Sequence, residues 1–300
     1  MNDNENFDVK HLISLVWKKK LTLLFFILSF TILTGIYSLK IPNKYTSSVL
    51  MIAVEDSQES NLSDYSGLAN LAGISLPSDS NKADIGIEVL KSRLFIQNFI
   101  SQNNILPELM ASRGWEITTG KILYDEKIYD QSKNVWTRKV KFPKKSQPSL
   151  NEAYDFWKKN IFSVIIDKQT GFIKFEITHY SPVIAQNWAA LLISELNNFM
   201  REKDVQEAER SINYLNEESN KTNIEELRSL FYKLIQNNIE KKMLAYSRSE
   251  YLFQIIDPPI ISEEKSSPKR FLLTVLGGLL GLFFGLISIL VNHYLKLLTD

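Results

Sequence analysis

The sequence predicts an α+β membrane protein: two transmembrane helices flank an exported α/β base domain that carries a long helical, coiled-coil-like projection. Three observations predict this class. Uncharged apolar segments occupy residues 21–39 and 271–291, near the two ends of the chain. Stretches typical of β-strands lie between them. Residues 183–256 contain neither glycine nor proline and have the apolar spacing of long helices.

Composition limits the function classes before any motif is considered. The chain has 300 residues, 35 of them Lys or Arg and 34 Asp or Glu, so its formal net charge is +1. This balance creates no overall field that would attract nucleic acid, and none is expected as a partner. The sequence contains no cysteine, which excludes disulfides and thiolate metal sites.

The chain begins with a polar leader, residues 1–20, that ends in Trp17 and three lysines. The first apolar segment, 21–39, then has about the 20 residues that a helix needs to cross a bilayer. It is longer than the ~7–15 residues of a signal-peptide core, and no small-residue cleavage motif follows it. We therefore predict an uncleaved membrane anchor.

Two spans place both chain ends on the same side of the membrane. Lys18, Lys19 and Lys20 favour a cytoplasmic N-terminus, because positive residues are retained on that side. Lys269 and Arg270, just before the second span, favour the opposite orientation. The first helix usually dominates, so the sequence predicts two cytoplasmic ends and an exported central region.

The α/β base is expected over residues 40–180. Its predicted elements are a strand at Tyr45–Val54, a polar loop at 55–82 with an apolar segment at 68–76, a helix at 85–100, a short helix at 106–113 stopped by Gly114, and strand-poor sequence to Pro148.

The second half of this base has clearer local signals. Trp115 and Trp136 are the expected local anchors of the strand-poor part. Ser149 and Glu152 have the spacing of a helix capping box. Residues 162–167 and 172–179 alternate around a short glycine-containing turn, which predicts a β-hairpin.

The helical projection is expected over residues 181–250, because Ser181 and Pro182 form a strong helix start. A polar stretch at 216–223 predicts a break, and Thr222 with Glu225 fits a capping box for a second helix. The residues expected to pack the two helices together are Ile212, Leu215, Leu227 and Phe231.

Two arrangements of these helices are compatible with the spacing, a hairpin or one uninterrupted rod near ~100 Å long. The hairpin is favoured because a strand at 251–256 must return to the base. The charged residues of the first helix are expected to be solvated or to face the interior of an assembly: Arg201, Glu202, Lys203 and Asp204.

The chain closes with a return strand and a proline-containing segment at 251–270, the second span at 271–291, and a cytoplasmic tail at 292–300. Small residues recur on one face of that span, where they allow helices to pack closely in lipid. They are Gly277, Gly278, Gly281 and Gly285. Their expected partner is a span of another copy or the first span of the same chain.

Residues that could carry chemistry are sparse. The three histidines, His11, His179 and His293, are far apart in the sequence, and we expect His179 at a surface or strand edge. There is no phosphate-binding GxxxxGK[ST] loop. The carboxylates of Glu217, Glu218, Glu225 and Glu226 are expected on a solvated helix face. The sequence predicts no catalytic, cofactor-binding or metal site, and a protein that is not an enzyme.

Several phrases of the chain resemble the polysaccharide co-polymerase family, the Wzz-type chain length determinants of bacterial surface glycans, in the class without a kinase domain. They are 8–42, 67–93 (GLANLAGISLPSDSNKADIGIEVLKSR), 181–199 (SPVIAQNWAALLISELNNF), 250–259 (EYLFQIIDPP) and SPKR at 267–270. Within them Pro258, Pro259 and Pro268 match the family's proline motif before a glycine-rich second span.

The resemblance implies a multi-pass protein of the bacterial inner membrane, with a periplasmic main domain that forms a homo-oligomeric ring. It implies a regulator of the modal length of a glycan, most commonly lipopolysaccharide O-antigen. The implied partners are a Wzy-type polymerase, the growing lipid-linked glycan and the membrane. Two alternatives are an adaptor that activates a separate tyrosine kinase in capsule or exopolysaccharide export, and a membrane-bound extracytoplasmic sensor.

Overall fold

The computed structural model describes Leu15, residues 17–54 and residues 82–299. Most of the predicted leader and nearly all of the predicted loop at 55–82, with its apolar segment at 68–76, lie outside the described residues. The chain divides into two units, one formed by Met1–Lys44 with Glu264–Asp300 and the other by Tyr45–Glu263.

Helices and strands alternate along the chain in an α+β order. They are α1 (Lys20–Lys40), β1 (Tyr45–Ala53), α2 (Lys82–Lys91), α3 (Arg93–Gln102), α4 (Leu106–Ala111), β2 (Ser112–Trp115), β3 (Ile122–Tyr124), β4 (Tyr129–Asp130), β5 (Val135–Trp136), α5 (Leu150–Asn160), β6 (Phe162–Ile166), β7 (Ile173–His179), α6 (Pro182–Lys221), α7 (Glu225–Ser247), β8 (Phe253–Asp257) and α8 (Arg270–Thr299). The predicted α+β class is confirmed.

A four-stranded antiparallel sheet organises the larger unit, with strand order β6-β7-β1-β8. The predicted hairpin forms the β6–β7 edge, and the predicted first strand lies between β7 and the return strand β8. Val49 pairs with Phe175, and both are fully buried. Alternate residues of β1 are buried, as expected of a strand with one face on a core.

Helices α2 to α5 and the first half of α6 supply the other side of that core. Its aromatic centre is Trp157, whose ring lies 5.4 Å from that of Phe99 and 5.6 Å from that of Trp188. Phe175 and Phe253 contribute from the sheet and are fully buried. Burial of these rings from five separate segments ties the sheet to its helices.

Two helix predictions in the base are wrong in their details. The single helix expected at 85–100 is two helices, because the Ser92 hydroxyl accepts a hydrogen bond from the Phe95 amide and starts α3. Gly114 does not stop a helix: α4 ends at Ala111, and Gly114 lies in strand β2. The strand-poor region contains three further short strands, β3, β4 and β5.

The predicted local anchors and the predicted cap are confirmed. The Trp115 ring lies 5.5 Å from that of Tyr45, and the Trp136 ring lies 5.0 Å from that of Tyr129. Ser149 and Glu152 form a reciprocal capping box at the start of α5. Such a cap satisfies two backbone donors that would otherwise have no partner.

The two long helices form an antiparallel hairpin, so the uninterrupted rod is excluded. The break is shorter than predicted, because α6 continues to Lys221. The predicted capping box at its end does not form. Ile224 is the cap residue of α7, and the Thr222 hydroxyl accepts a hydrogen bond from the Ile224 amide instead of from Glu225.

The second apolar helix is longer than predicted. Helix α8 continues to Thr299, so residues 292–299 are helical, and their assignment to a cytoplasmic tail stays a prediction. Among the described residues, two stretches are long and apolar enough to cross a membrane: Lys20–Lys40, with a mean hydropathy of 2.0, and Arg270–Asn292, with a mean hydropathy of 2.4.

Candidate functional site

The glycine face of α8 is in direct contact with α1. A methyl group on Gly281 would lie 2.7 Å from the carbonyl oxygen of Phe26 and 2.8 Å from the Cα of Ile27. A methyl group on Gly277 would overlap the side chain of Thr34. At these points only glycine lets the two backbones approach so closely.

Gly285 and Gly278 also lie against α1. A methyl group on Gly285 would lie 2.9 Å from Leu23 Cδ1, and one on Gly278 would lie 3.2 Å from Thr31 Oγ1. Of the two partners considered for these glycines, the structure shows the first span of the same chain. Contact of these residues with another copy stays a prediction.

Two threonine hydroxyls inside the helix pair are satisfied within their own helix. The Thr31 hydroxyl donates to the Ile27 carbonyl oxygen at 2.7 Å, and the Thr34 hydroxyl donates to that of Phe30 at 2.8 Å. The rings of Phe30 and Phe284 stack at 5.5 Å with an interplanar angle of 19°. The pair is therefore held by close packing and by aromatic contact, which also operate in lipid.

The outward sides of both helices are apolar and exposed. Examples are Leu21, Leu24, Phe25, Leu28, Ile32 and Leu33 on α1, and Phe271, Leu272, Leu276, Leu279, Leu280 and Phe283 on α8. Contiguous exposed apolar surface of this kind indicates contact with a membrane or a partner.

The segments that leave the two helices are tied together by backbone hydrogen bonds. The Lys44 amide donates to the Ser267 carbonyl at 2.9 Å, and the Ser266 amide donates to the Lys44 carbonyl at 2.8 Å. In addition, Arg270 Nη2 donates to Asn43 Oδ1 at 3.0 Å. These contacts hold the segment that follows α1 against the segment that precedes α8.

The prolines of the family motif are divided between the two units of the chain. Pro268 belongs to the smaller unit, where it precedes α8. Pro258 and Pro259 belong to the larger unit and follow β8. Pro259 is buried, and the next residue, Ile260, accepts a hydrogen bond from the Ser47 hydroxyl at 2.8 Å.

The helical hairpin has an apolar cluster of its own, and all four predicted packing residues lie in it. Leu215 and Phe231 are buried in this cluster, whereas Ile212 and Leu227 are half-buried against it. Leu230, Leu234 and Ile235 complete it. We call the hairpin formed by α6 from Arg201 onward and by α7 the helical arm.

The charged residues at the start of the helical arm are only partly solvated, which corrects the prediction for two of them. Arg201 donates to the carbonyl oxygens of Arg248 at 3.0 Å and Ser249 at 2.8 Å. Asp204 accepts a hydrogen bond from the Tyr251 hydroxyl at 2.7 Å. Glu202 and Lys203 are exposed, as predicted.

Asn197 is a structural residue that sequence reasoning missed. Its side chain is buried, and its amide nitrogen donates to the Phe253 carbonyl at 3.0 Å. Its Oδ1 accepts from the amides of Leu252 and Phe253, both at 2.9 Å. The sequence did contain a signal for this role, because Asn197 is a polar residue on the face of α6 that is buried.

The prediction for His179 is wrong, because its side chain is only 3% exposed. The Ser181 amide donates to its Nδ1 at 3.1 Å, and its Nε2 lies 3.1 Å from the Glu108 carbonyl. A neutral imidazole with its proton on Nε2 satisfies both contacts. Its ring lies 5.0 Å from that of Trp188, so His179 joins β7 to the start of α6.

The described part of the chain, residues 17–54 and 82–299 with Leu15, contains no group of three or more His, Asp or Glu side chains that could hold a metal ion.

The Tyr124 hydroxyl lies near Glu108 and has a shifted pKa. Burial, together with the Glu108 carboxylate, raises the pKa of the Tyr124 hydroxyl far above its ordinary value. Their hydrogen bond is 3.3 Å long and links β3 to α4.

The geometry defines a class: an α+β domain with a helical arm, carried by a chain with two paired apolar helices. The family model described as Wzz, chain length determinant protein, matches residues 5–103. Over those residues this match agrees with the resemblance to the Wzz-type chain length determinants.

Solved structures include two similar chains. One is described as a full-length bacterial polysaccharide co-polymerase: it is 14% identical, the alignment covers 95% of this chain and 97% of that chain, and the TM-score is 0.39. The other is described as a fragment of WzzB, a polysaccharide co-polymerase from Salmonella Typhimurium. It is 11% identical, the alignment covers 75% of this chain and 100% of that chain, and the TM-score is 0.34. A comparison with curated protein sequences returned no match.

Proposed function

We propose that this chain sets the modal length of a bacterial surface polysaccharide, most commonly lipopolysaccharide O-antigen. In this proposal it is a non-catalytic regulator that acts with a Wzy-type polymerase on the growing lipid-linked glycan. The observation that carries the proposal is the match of residues 5–103 to the Wzz chain length determinant model.

The proposed location is the inner membrane, with both chain ends in the cytoplasm and the larger unit in the periplasm. The antiparallel pairing of α1 and α8 supports it, because contacts run from Thr34 with Gly277 to Leu23 with Gly285. The N-terminal end of α1 is thereby placed at the same end as the C-terminal part of α8. Lys18, Lys19 and Lys20 favour the cytoplasm for this end.

The proposed active form is a homo-oligomeric ring. Support comes from the helical arm, which keeps exposed apolar residues after its own cluster has formed. Tyr232, Ile239, Met243 and Tyr246 are each at least 45% exposed and recur at helical spacing on α7. A surface of this kind is suited to a neighbouring copy.

The experiment that tests the function is a profile of glycan length in a strain that lacks the gene. We expect the modal length to be lost while polymer is still made, and to return when the full chain is supplied. An unchanged length profile, with loss of tyrosine phosphorylation on a separate kinase, would instead identify an adaptor. An unchanged profile with altered transcription in response to an external signal would identify a sensor.

A further inference from the structure

Cationic side chains are concentrated at the end of the helix pair where α1 stops and α8 starts. We call this group the cationic collar: Lys40, Lys44, Lys265, Lys269 and Arg270. All five belong to the same unit of the chain. The backbone hydrogen bonds between Lys44 and Ser266–Ser267 hold the two segments that carry them together.

A cavity of about 470 Å³ opens on this collar. Its wall includes Lys265, Lys269 and Arg270 beside the apolar side chains of Phe271 and Leu272. Phe271 is 83% exposed and Leu272 is 56% exposed. The wall is therefore cationic on one part and apolar on the next, which suits a molecule with an anionic group and a hydrocarbon portion.

Within residues 17–54 and 82–299, no carboxylate forms an ion pair with Lys40, Lys265, Lys269 or Arg270. Arg270 Nη2 donates to Asn43, but its Nε is buried and has no acceptor. A buried donor without an acceptor costs free energy, so an anionic oxygen at this point would be stabilising.

In the proposed membrane location, the collar lies at the boundary between the hydrocarbon layer and the headgroups. Lys40 ends the first apolar helix, and Arg270 begins the second. Long cationic side chains at helix ends reach the phosphates of the interface while their methylenes stay in the apolar layer. A soluble phosphate ion would gain nothing from Phe271 and Leu272, whereas an acyl chain would.

We propose that the cationic collar is a binding site for the phosphate group of an anionic membrane phospholipid, with its acyl chain against the start of α8. The site requires that the helix pair lie in a membrane, as in the proposed function, but it does not require a role in glycan length. The two proposals can therefore fail separately.

The test uses the full chain, purified in mild detergent and examined by native mass spectrometry. Phosphatidylglycerol or phosphatidylcholine with matched acyl chains is added at equal concentrations, and inorganic phosphate is added in a third series. The variant is Lys265→Gln with Lys269→Gln. Its control is Lys158→Gln with Lys159→Gln, which removes two exposed charges from α5 in the other unit.

We expect the unaltered chain to retain phosphatidylglycerol in preference to phosphatidylcholine. The collar variant should retain at least about fivefold less phosphatidylglycerol, and the control should match the unaltered chain. Equal retention of the two lipids, or an equal loss in the control, would overturn the proposal. Displacement of the lipid by millimolar inorganic phosphate would show a site for free anions and would also overturn it.

Discussion

The side chain of Asn197 holds the backbone of Phe253 at both of its polar groups, donating to the carbonyl at 3.0 Å and accepting from the amide at 2.9 Å. This contact joins α6 to the first residue of β8. The helical arm leaves the base through α6, and the chain returns from it into β8. The buried Asn197 side chain therefore links the helix through which the chain leaves the base to the strand through which it returns.

The first prediction follows from this contact. Asn197→Ala leaves two backbone amides and one carbonyl without partners in a buried place. We expect the free energy of unfolding to fall by about 3 kcal/mol. Denaturant unfolding of the full chain in detergent, followed by tryptophan fluorescence, measures the loss.

The matched control is the neighbouring Asn198→Ala, because Asn198 is exposed and its Oδ1 accepts a hydrogen bond from Arg201. We expect this control to lower stability by less than about 1 kcal/mol. If the two variants are equally stable, then the buried bonds of Asn197 do not hold β8 in place.

The second prediction concerns the contact between α1 and α8. Gly281→Leu places a side chain where even a methyl group would lie 2.7 Å from the Phe26 carbonyl. We expect the two helices to separate and the length distribution of the glycan to broaden, while membrane insertion is unchanged because leucine inserts well. A cysteine pair, Thr31→Cys with Gly278→Cys, reports the contact, since the chain has no other cysteine.

Oxidation of this pair should give a cross-link within one chain, without a dimer band on a denaturing gel. Adding Gly281→Leu should reduce the cross-link severalfold. The control is Leu279→Ala, which alters an exposed side chain of the same helix. A cross-link that appears between chains would instead assign the glycine face to contact between copies.

Local signals in the sequence predicted local structure well. The Ser149–Glu152 capping box, the start of α6 at Pro182 and the β6–β7 hairpin depend on residues a few positions apart. The four packing residues of the arm were found because the apolar spacing of α6 and α7 is visible in the sequence.

Features that depend on distant residues could not be predicted in this way. The burial of His179 depends on the Glu108 carbonyl, 71 positions earlier. The role of Asn197 depends on Phe253, 56 positions later. Glycine spacing indicated a packing face on α8, but it contains no information about which helix occupies that face.

The third prediction tests the orientation in the membrane. A reporter enzyme that works only outside the cytoplasm is inserted after Thr170, in the exposed turn between β6 and β7. We expect activity there and none when the same reporter follows Asp300, because both chain ends are proposed to be cytoplasmic. Activity at the second position alone would reverse the orientation and overturn a periplasmic role.

The fourth prediction concerns acid stability at the start of α5. A hydrogen bond from Arg138 holds the pKa of the Glu152 carboxyl below its ordinary value of 4.5, and burial opposes this shift. The stabilisation is therefore present above pH 4.5 and is lost as the pH falls through the lowered pKa.

Glu152→Gln removes the charge at every pH. We expect this variant to be less stable than the unaltered chain at neutral pH and to show a smaller loss of stability in acid. Unfolding curves recorded between neutral and acidic pH measure the difference. A constant difference between the two proteins across this range would show that Arg138 does not shift the titration of Glu152.

The fifth prediction concerns the helical arm. Leu215 and Phe231 are both buried in the arm's own cluster, between its two helices. Phe231→Asp puts a carboxylate among Leu215, Leu230 and Leu234, at a cost of several kcal/mol unless the arm opens. We therefore expect α6 and α7 to separate beyond residue 205, while the base stays folded around Trp157.

Limited proteolysis of the full chain in detergent measures this opening, with cleavage in α7 expected to speed up at least about tenfold. The matched control is Tyr232→Asp, the adjacent residue, whose side chain is 55% exposed. This control should leave proteolysis unchanged and should weaken the oligomer, because Tyr232 belongs to the surface proposed for contact between copies. If Phe231→Asp weakens the oligomer without increasing cleavage of α7, then the cluster does not hold the arm together and its residues lie between copies instead.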